Sequence, residues 1–229
     1  MIPYTKSVKL ISLCLPLFIV GCSGKNKFET ISICSETKKP CLKGKAKIKF
    51  HTSKGQIVLE IDGKAAPITA GNFLELVNKK AYVNTNFHRV IKTPYPFIIQ
   101  GGDINKRYSS SLNKDYRSFN LSYNESNIHI NNLIPLEIKL KDEKLPRYNF
   151  LITNPNELSK LQLSHKRGSL AMARSEGVNS GSTQFYITLK ALPELDGRFS
   201  VFGKVIQGME IVDSIEQGDK ILKTYLLAN

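Results

Sequence analysis

Four cysteines and four histidines are the side chains most able to do chemistry, and their spacing limits what that chemistry is. Cys14 lies in an apolar run near the start, Cys22 closes that run, and Cys34 and Cys41 follow with six residues between them. That last spacing fits neither a zinc knuckle nor a redox Cys-x-x-Cys pair. It admits a disulfide where the segment lies outside the cytoplasm, and equally two free thiols in a flexible segment. His51, His88, His129 and His165 are scattered, with no carboxylate partner at helical spacing. No metal signature follows, and neither a metal nor a cofactor is expected. The apolar and aromatic residues Phe97, Ile98, Tyr186, Leu195 and Phe199 read on composition alone as core.

The start of the chain reads as an address and an anchor. Lys6 and Lys9 precede Leu10 to Val20, eleven residues without a charge, which is the length of a signal peptide and too short to span a bilayer. The run ends Ile19-Val20-Gly21-Cys22, which resembles the lipobox of bacterial lipoproteins. The resemblance implies cleavage before Cys22 and a diacylglyceryl group on its thiol. It places the chain in the cell envelope as a membrane-anchored lipoprotein facing the non-cytoplasmic side. The alternative is a plain secretory signal with an incidental cysteine. Residues 1–21 are thus expected to be a signal peptide, 22–46 a lipid anchor and basic tether, and 47–229 the folded domain.

Charge follows the same division. The 229 residues carry 33 basic and 19 acidic side chains, a formal +14, with 41% hydrophobic residues, which is ordinary for a globular chain and excludes collagen-like, coiled-coil and wholly disordered classes. Between Ser23 and Lys49 eight lysines face only Glu29 and Glu36. A basic stretch beside a lipid anchor is drawn to anionic headgroups, at about 1 kcal/mol per residue near the surface. It also fits a solvated linker. Either use counts against nucleic acid as a partner.

Periodicity changes after the tether. Lys47 to Thr52 and Gln56 to Asp62 alternate around Ser53-Lys54-Gly55 and read as a β-hairpin. After Pro67 the residues Ala70, Phe73, Leu74 and Val77 form one helical stripe. Short strands are expected at Asn86 to Ile91, Pro96 to Gln100, Gly168 to Ala173, Gln184 to Leu189, Ser200 to Ile206 and Lys220 to Leu226, with a second helix over Gly208 to Glu216. This order predicts a mainly antiparallel barrel or sandwich with a few helices. Ile104 to Arg167 stands apart, rich in Asn and Ser and without a sustained period. It is expected to be a loop insertion, anchored near Ile134 to Ile138 and at the turn into Gly168 and mobile elsewhere.

Five segments then carry a resemblance: Phe87-His88-Arg89-Val90; Phe97 to Asp103; Gly168 to Arg174; Gln184-Phe185-Tyr186-Ile187; and Leu195 to Lys204. In this order they resemble the signatures of cyclophilins. The resemblance implies an eight-stranded antiparallel β-barrel capped by two helices, and peptidyl-prolyl cis/trans isomerase activity on X-Pro bonds of exported or envelope proteins, assisting their folding. It implies Arg89 and Gln100 as catalytic residues, and Phe97, Ile98, Tyr186, Leu195 and Phe199 as the walls of a proline slot. It further implies that the backbone around Ala173 and Arg174 bonds the substrate chain and that Gln184 supports the site from behind. The expected partners are proline-containing polypeptides, the expected state is a monomer, and no cofactor enters.

The chemistry explains why such residues are needed. Rotation about an X-Pro amide is barred by about 18 to 20 kcal/mol because the nitrogen lone pair is delocalised into the carbonyl. A catalyst need only bind the twisted state better than either planar one. A guanidinium that donates a hydrogen bond to the nitrogen does this without ever losing its proton. Some positions depart from the family pattern. Lys92-Thr93-Pro94-Tyr95-Pro96 is a longer link than usual, with the potential to alter how Arg89 and Phe97 are presented, and Ile98 and Tyr186 replace the usual Met and Phe. Glu194 stands where many members have Trp, which argues against tight cyclosporin binding. Two other classes remain open on sequence: a non-catalytic proline-peptide-binding or chaperone lipoprotein, and a structural lipoprotein whose basic loops bind anionic polymers.

Overall fold

The computed structural model describes Cys34 and residues 39–104 and 133–228, so Cys22, the signal segment and residues 105–132 lie outside the described residues. The hairpin forms first in chain order: β1 (Lys45–Thr52) pairs with β2 (Gly55–Asp62), because Ile48, Phe50, Ile57, Leu59 and Ile61 alternate onto one face and are fully buried. Gly55 takes the turn's positive φ of 141°, and the Thr52 side chain accepts from the Lys54 amide and donates to the Gly55 carbonyl. Helix α1 (Pro67–Asn78) starts on a proline and buries Ile68, Ala70, Phe73 and Val77. There follow β3 (Arg89–Ile91), β4 (Ile98–Gly101), a small two-stranded sheet of β5 (Glu137–Ile138) and β6 (Arg147–Tyr148), a short α2 (Pro155–Leu158), β7 (Ser169–Met172), β8 (Phe185–Thr188), a 3-10 turn (Pro193–Leu195), β9 (Val201–Gln207), α3 (Met209–Ser214) and β10 (Ile221–Leu227).

The main sheet has eight antiparallel strands in the order β10-β1-β2-β9-β7-β8-β4-β3. It curls so that its two outer strands approach, but the gap is bridged by loop backbone rather than by a strand ladder. Asn84 N–H donates to Ile221 O (2.7 Å), Phe87 N–H to Asp219 O (2.8 Å), Ile221 N–H to Thr85 O (2.9 Å) and Gly218 N–H to Phe87 O (2.9 Å). Inside lies an aromatic cluster. Phe73 meets Phe185 edge-on at 5.3 Å, Tyr82 at 5.1 Å and Phe202 at 5.1 Å, and Phe50 meets Phe185 at 5.9 Å.

Two expectations are corrected here. Residues 39–46, assigned by sequence to the tether, lie on the domain: β1 begins at Lys45, Cys41 and Leu42 pack against the main core, and Leu42 N–H donates to Pro67 O at 3.0 Å. Gly71 and Gly63 allow this approach, since a Cβ on Gly71 would sit 2.4 Å from Pro40 O and one on Gly63 1.9 Å from Leu42 O. A disulfide joins Cys41 of this segment to Cys34, with Cα atoms 5.9 Å apart. Residues 133–167 are also more than a loop with two anchors. They build their own core from Leu136, Ile138, Leu140, Ile152 and Leu161, and Arg147 binds both Glu143 and Glu157. Leu136, Ile138 and Leu140 alternate along one short stretch around β5, but Ile152 and Leu161 come from later turns with no spacing that links them to it.

Candidate functional site

Strand register assembles the site. Arg89 pairs with Gln100 across β3 and β4, Gln100 with Tyr186 across β4 and β8, Tyr186 with Ala171 across β8 and β7, and Ala171 with Val201 across β7 and β9. Side chains alternate along a strand, so these five form one row on the outer face of the sheet. Their neighbours Ile99, Leu170, Met172, Phe185 and Ile187 point inward and belong to the main core. Tyr186, Ala171 and Val201 of this row belong to a separate apolar cluster with Ile98 and Leu192, flanked by half-buried Phe97, Ala173, Leu195 and Phe199. Every apolar residue expected in the proline slot is in this cluster.

The polar end of the row is ordered by amides. Gln100 Nε2 donates to Gln184 Oε1 at 2.9 Å, which leaves Gln100 Oε1 to accept from Arg89 Nη1 at 3.4 Å. Gln184, the residue before β8, thus fixes the orientation of the Gln100 amide. Arg89 is exposed and makes no ion pair among the described residues, so its guanidinium is not spent on a carboxylate. The long link between β3 and β4 does not disturb this geometry, because Phe97 N–H donates to Ile91 O (2.9 Å) and Leu189 N–H to Phe97 O (2.8 Å). Within that link the Thr93–Pro94 peptide is cis.

The apolar end is built from rings. Tyr186 meets Phe199 edge-on, 5.7 Å between centroids at 88°. The Arg174 guanidinium lies over the Phe199 ring at 4.8 Å, fixed there by its Nε donating to Arg198 O and its Nη1 to Ser175 O. This is a side-chain role; the expectation for Arg174 concerned its backbone. The Ala173 N–H is taken by Gln184 O at 2.9 Å. Leu195 closes the slot from the 3-10 turn Pro193–Leu195, where Pro193 sets the first turn.

Two buried groups escaped the sequence reading. His165 is buried between Tyr186 and Asp196. Glu137 caps α1 from 69 residues away, accepting from the Ile68 and Thr69 amides at 3.0 and 2.6 Å and from Thr69 Oγ1 at 2.6 Å. Ala66, the residue at the cap position, has no side chain for the task. Burial raises the Glu137 carboxyl to about 7 against the pull of these hydrogen bonds. No local spacing signals either contact.

With this geometry in view, the comparisons with known proteins agree. The family model of cyclophilin type peptidyl-prolyl cis-trans isomerase/CLD matches residues 47–226. This chain belongs to the cyclophilin-type peptidyl-prolyl cis-trans isomerases. A Synechocystis protein named as a thylakoid lumen peptidyl-prolyl cis-trans isomerase is 33% identical over 82% of the chain, which spans about half (48%) of that longer relative. A Helicobacter pylori peptidyl-prolyl cis-trans isomerase is 32% identical over 75% of the chain and 81% of its own length. Among solved structures, a cyclophilin from Hirschia baltica matches with a TM-score of 0.55 at 20% identity, covering 79% of this chain and 73% of that one, a likeness of fold. A cyclophilin type isomerase from Cryptosporidium parvum matches with a TM-score of 0.54 at 25% identity, covering 81% of this chain and 99% of that one.

Proposed function

We propose that the site accelerates cis/trans isomerisation of X-Pro bonds in exported or envelope proteins and so assists their folding. The observation that carries this reading is the outer row. It sets a guanidinium, Arg89, that makes no ion pair among the described residues, and an oriented amide, Gln100, at the polar end of an apolar slot of Phe97, Ile98, Leu195, Tyr186 and Phe199. The proline ring enters the slot, and its amide nitrogen faces Arg89. As the bond twists, the lone pair returns to nitrogen, and the guanidinium donates to it there and not in the planar ground states. Differential binding of about 7 kcal/mol would supply about five decades of rate. No covalent step and no proton transfer is required. A second Cryptosporidium parvum structure, 26% identical, is described as determined in the presence of an Ala-Pro dipeptide, which supports a proline dipeptide as the minimal ligand class here.

The location follows from the leader and its lipobox-like end. Cys22 is acylated, and the domain faces the non-cytoplasmic side of a membrane as a monomer. A relative named for the thylakoid lumen supports a non-cytoplasmic compartment. Among the described residues no helix is long and apolar enough to cross a membrane. A protease-coupled isomerase assay on a proline tetrapeptide, with the detergent-solubilised full chain and its Arg89→Ala variant, tests the activity. Parent turnover that the variant loses is the expected result. A parent chain that binds the peptide without accelerating isomerisation would assign it to the non-catalytic binding class instead.

A further inference from the structure

The floor of the slot is Tyr186, and its hydroxyl ends on a buried relay. His165 is 2% exposed; its Nε2 lies 2.9 Å from Tyr186 Oη and its Nδ1 2.7 Å from Asp196 Oδ1. The same carboxylate oxygen accepts the His165 backbone N–H at 2.7 Å. A carboxylate can only accept, so Nδ1 carries the hydrogen, and in the neutral ring Nε2 must accept from the Tyr186 hydroxyl. Burial and the charge of Asp196 push the Tyr186 phenol far up, so it remains a donor.

The relay links three pieces of chain. Tyr186 is on β8, His165 precedes β7, and Asp196 directly follows the 3-10 turn that ends in Leu195, with Phe199 three residues on. His165 O also accepts from Leu192 N–H at 2.8 Å, a second tie to the same loop. The rings pack to match: His165 lies parallel to Tyr186 (6.0 Å, 8°), and Phe199 stands edge-on to His165 (6.4 Å, 84°). The floor and the loop that carries Leu195 and Phe199 are thus tied to one another through His165 and Asp196.

We infer that His165 and Asp196 are positioning residues that set the width of the proline slot, making it selective for a five-membered ring. The inference rests on the isomerase reading and deepens it. A floor whose hydroxyl is anchored cannot retreat to admit a larger ring, whereas an unanchored one can.

The test compares proline peptides with the same peptides carrying six-membered pipecolic acid, using the full chain and the variants Tyr186→Phe, His165→Leu and the double variant. Tyr186→Phe removes only the anchored oxygen. Each single variant is expected to raise KM for the prolyl peptide about fivefold with kcat little changed, and to raise the pipecolyl to prolyl ratio of kcat/KM about fivefold. Because both substitutions break the same relay, the double variant should be no worse than the worse single one. A general loss of stability would lower both substrates alike and leave the ratio where it was. If His165→Leu does not fold, the ratio for Tyr186→Phe alone decides. An active parent whose variants keep its ratio, or losses that add in the double variant, would overturn this inference and leave the isomerase reading intact. A parent chain inactive on prolyl peptides would remove both.

Discussion

Replacing Arg89 by alanine separates catalysis from folding more cleanly than any other single change. Arg89 is exposed, makes no ion pair among the described residues, and its hydrogen bond to Gln100 is long at 3.4 Å. Losing it should therefore cost no more than about 0.5 kcal/mol of stability, as for other surface substitutions. Gln100 keeps its bond to Gln184, so the row stays in place. The rate effect is of another size. One preorganised donor aimed at charge that develops in the transition state is worth about 2.7 to 4 kcal/mol, or about a hundred- to a thousandfold in rate. The expected result is a fall of that order in kcat/KM in the protease-coupled assay, with a melting temperature within a few degrees of the parent. Arg89→Lys keeps the charge but not the planar fork, and should fall between the two. An alanine variant that is well folded and retains near-parental turnover would refute the role given to the guanidinium.

Three further outcomes are expected. Cys22→Ser should release the chain from membranes and abolish labelling by a radioactive fatty acid; a parent chain that takes up no label would end the lipoprotein reading. Glu137 titrates near 7 in the fold against about 4.5 when unfolded, so the native state holds the extra proton between these values, and stability should fall as pH rises from about 4.5 to about 7, by at most about 3 kcal/mol. Denaturant melts across that range should show the decline, flattened in Glu137→Gln, and a parent profile as flat as the variant's would show the carboxyl is not perturbed. Gly71→Ala gains about 1 kcal/mol of helix propensity, but its Cβ would meet backbone of Pro40 and Cys41 at 2.4 and 2.6 Å. Overpacking against backbone costs about 1 to 3 kcal/mol, so the thermal melt should show net destabilisation, and a more stable variant would mean that Pro40–Leu42 does not pack on α1.

Period and punctuation alone carried most of the secondary structure. The hairpin, α1, the later strands and α3 are legible because a half-buried strand must alternate and a half-buried helix must repeat near 3.6, whatever the remainder of the chain does. Ordered signatures carried the family, and with it Arg89, Gln100 and the slot residues. They could not say that Arg89, Gln100, Tyr186, Ala171 and Val201 share one row, because register is a relation between strands and no single strand contains it. The buried polar contacts were decided by the tertiary structure for the same reason. His165 and Asp196 are 31 residues apart, Glu137 and Ile68 are 69 apart, and each pair is joined because a polar group taken out of water needs a partner wherever the fold brings one. The small core of residues 133–167 belongs with them: Leu136, Ile138 and Leu140 alternate over too short a stretch to reveal a core, and only packing brings Ile152 and Leu161 onto them. What a residue does to its sequence neighbours was written in the sequence; what it does to residues far along the chain waited on the closing of the sheet.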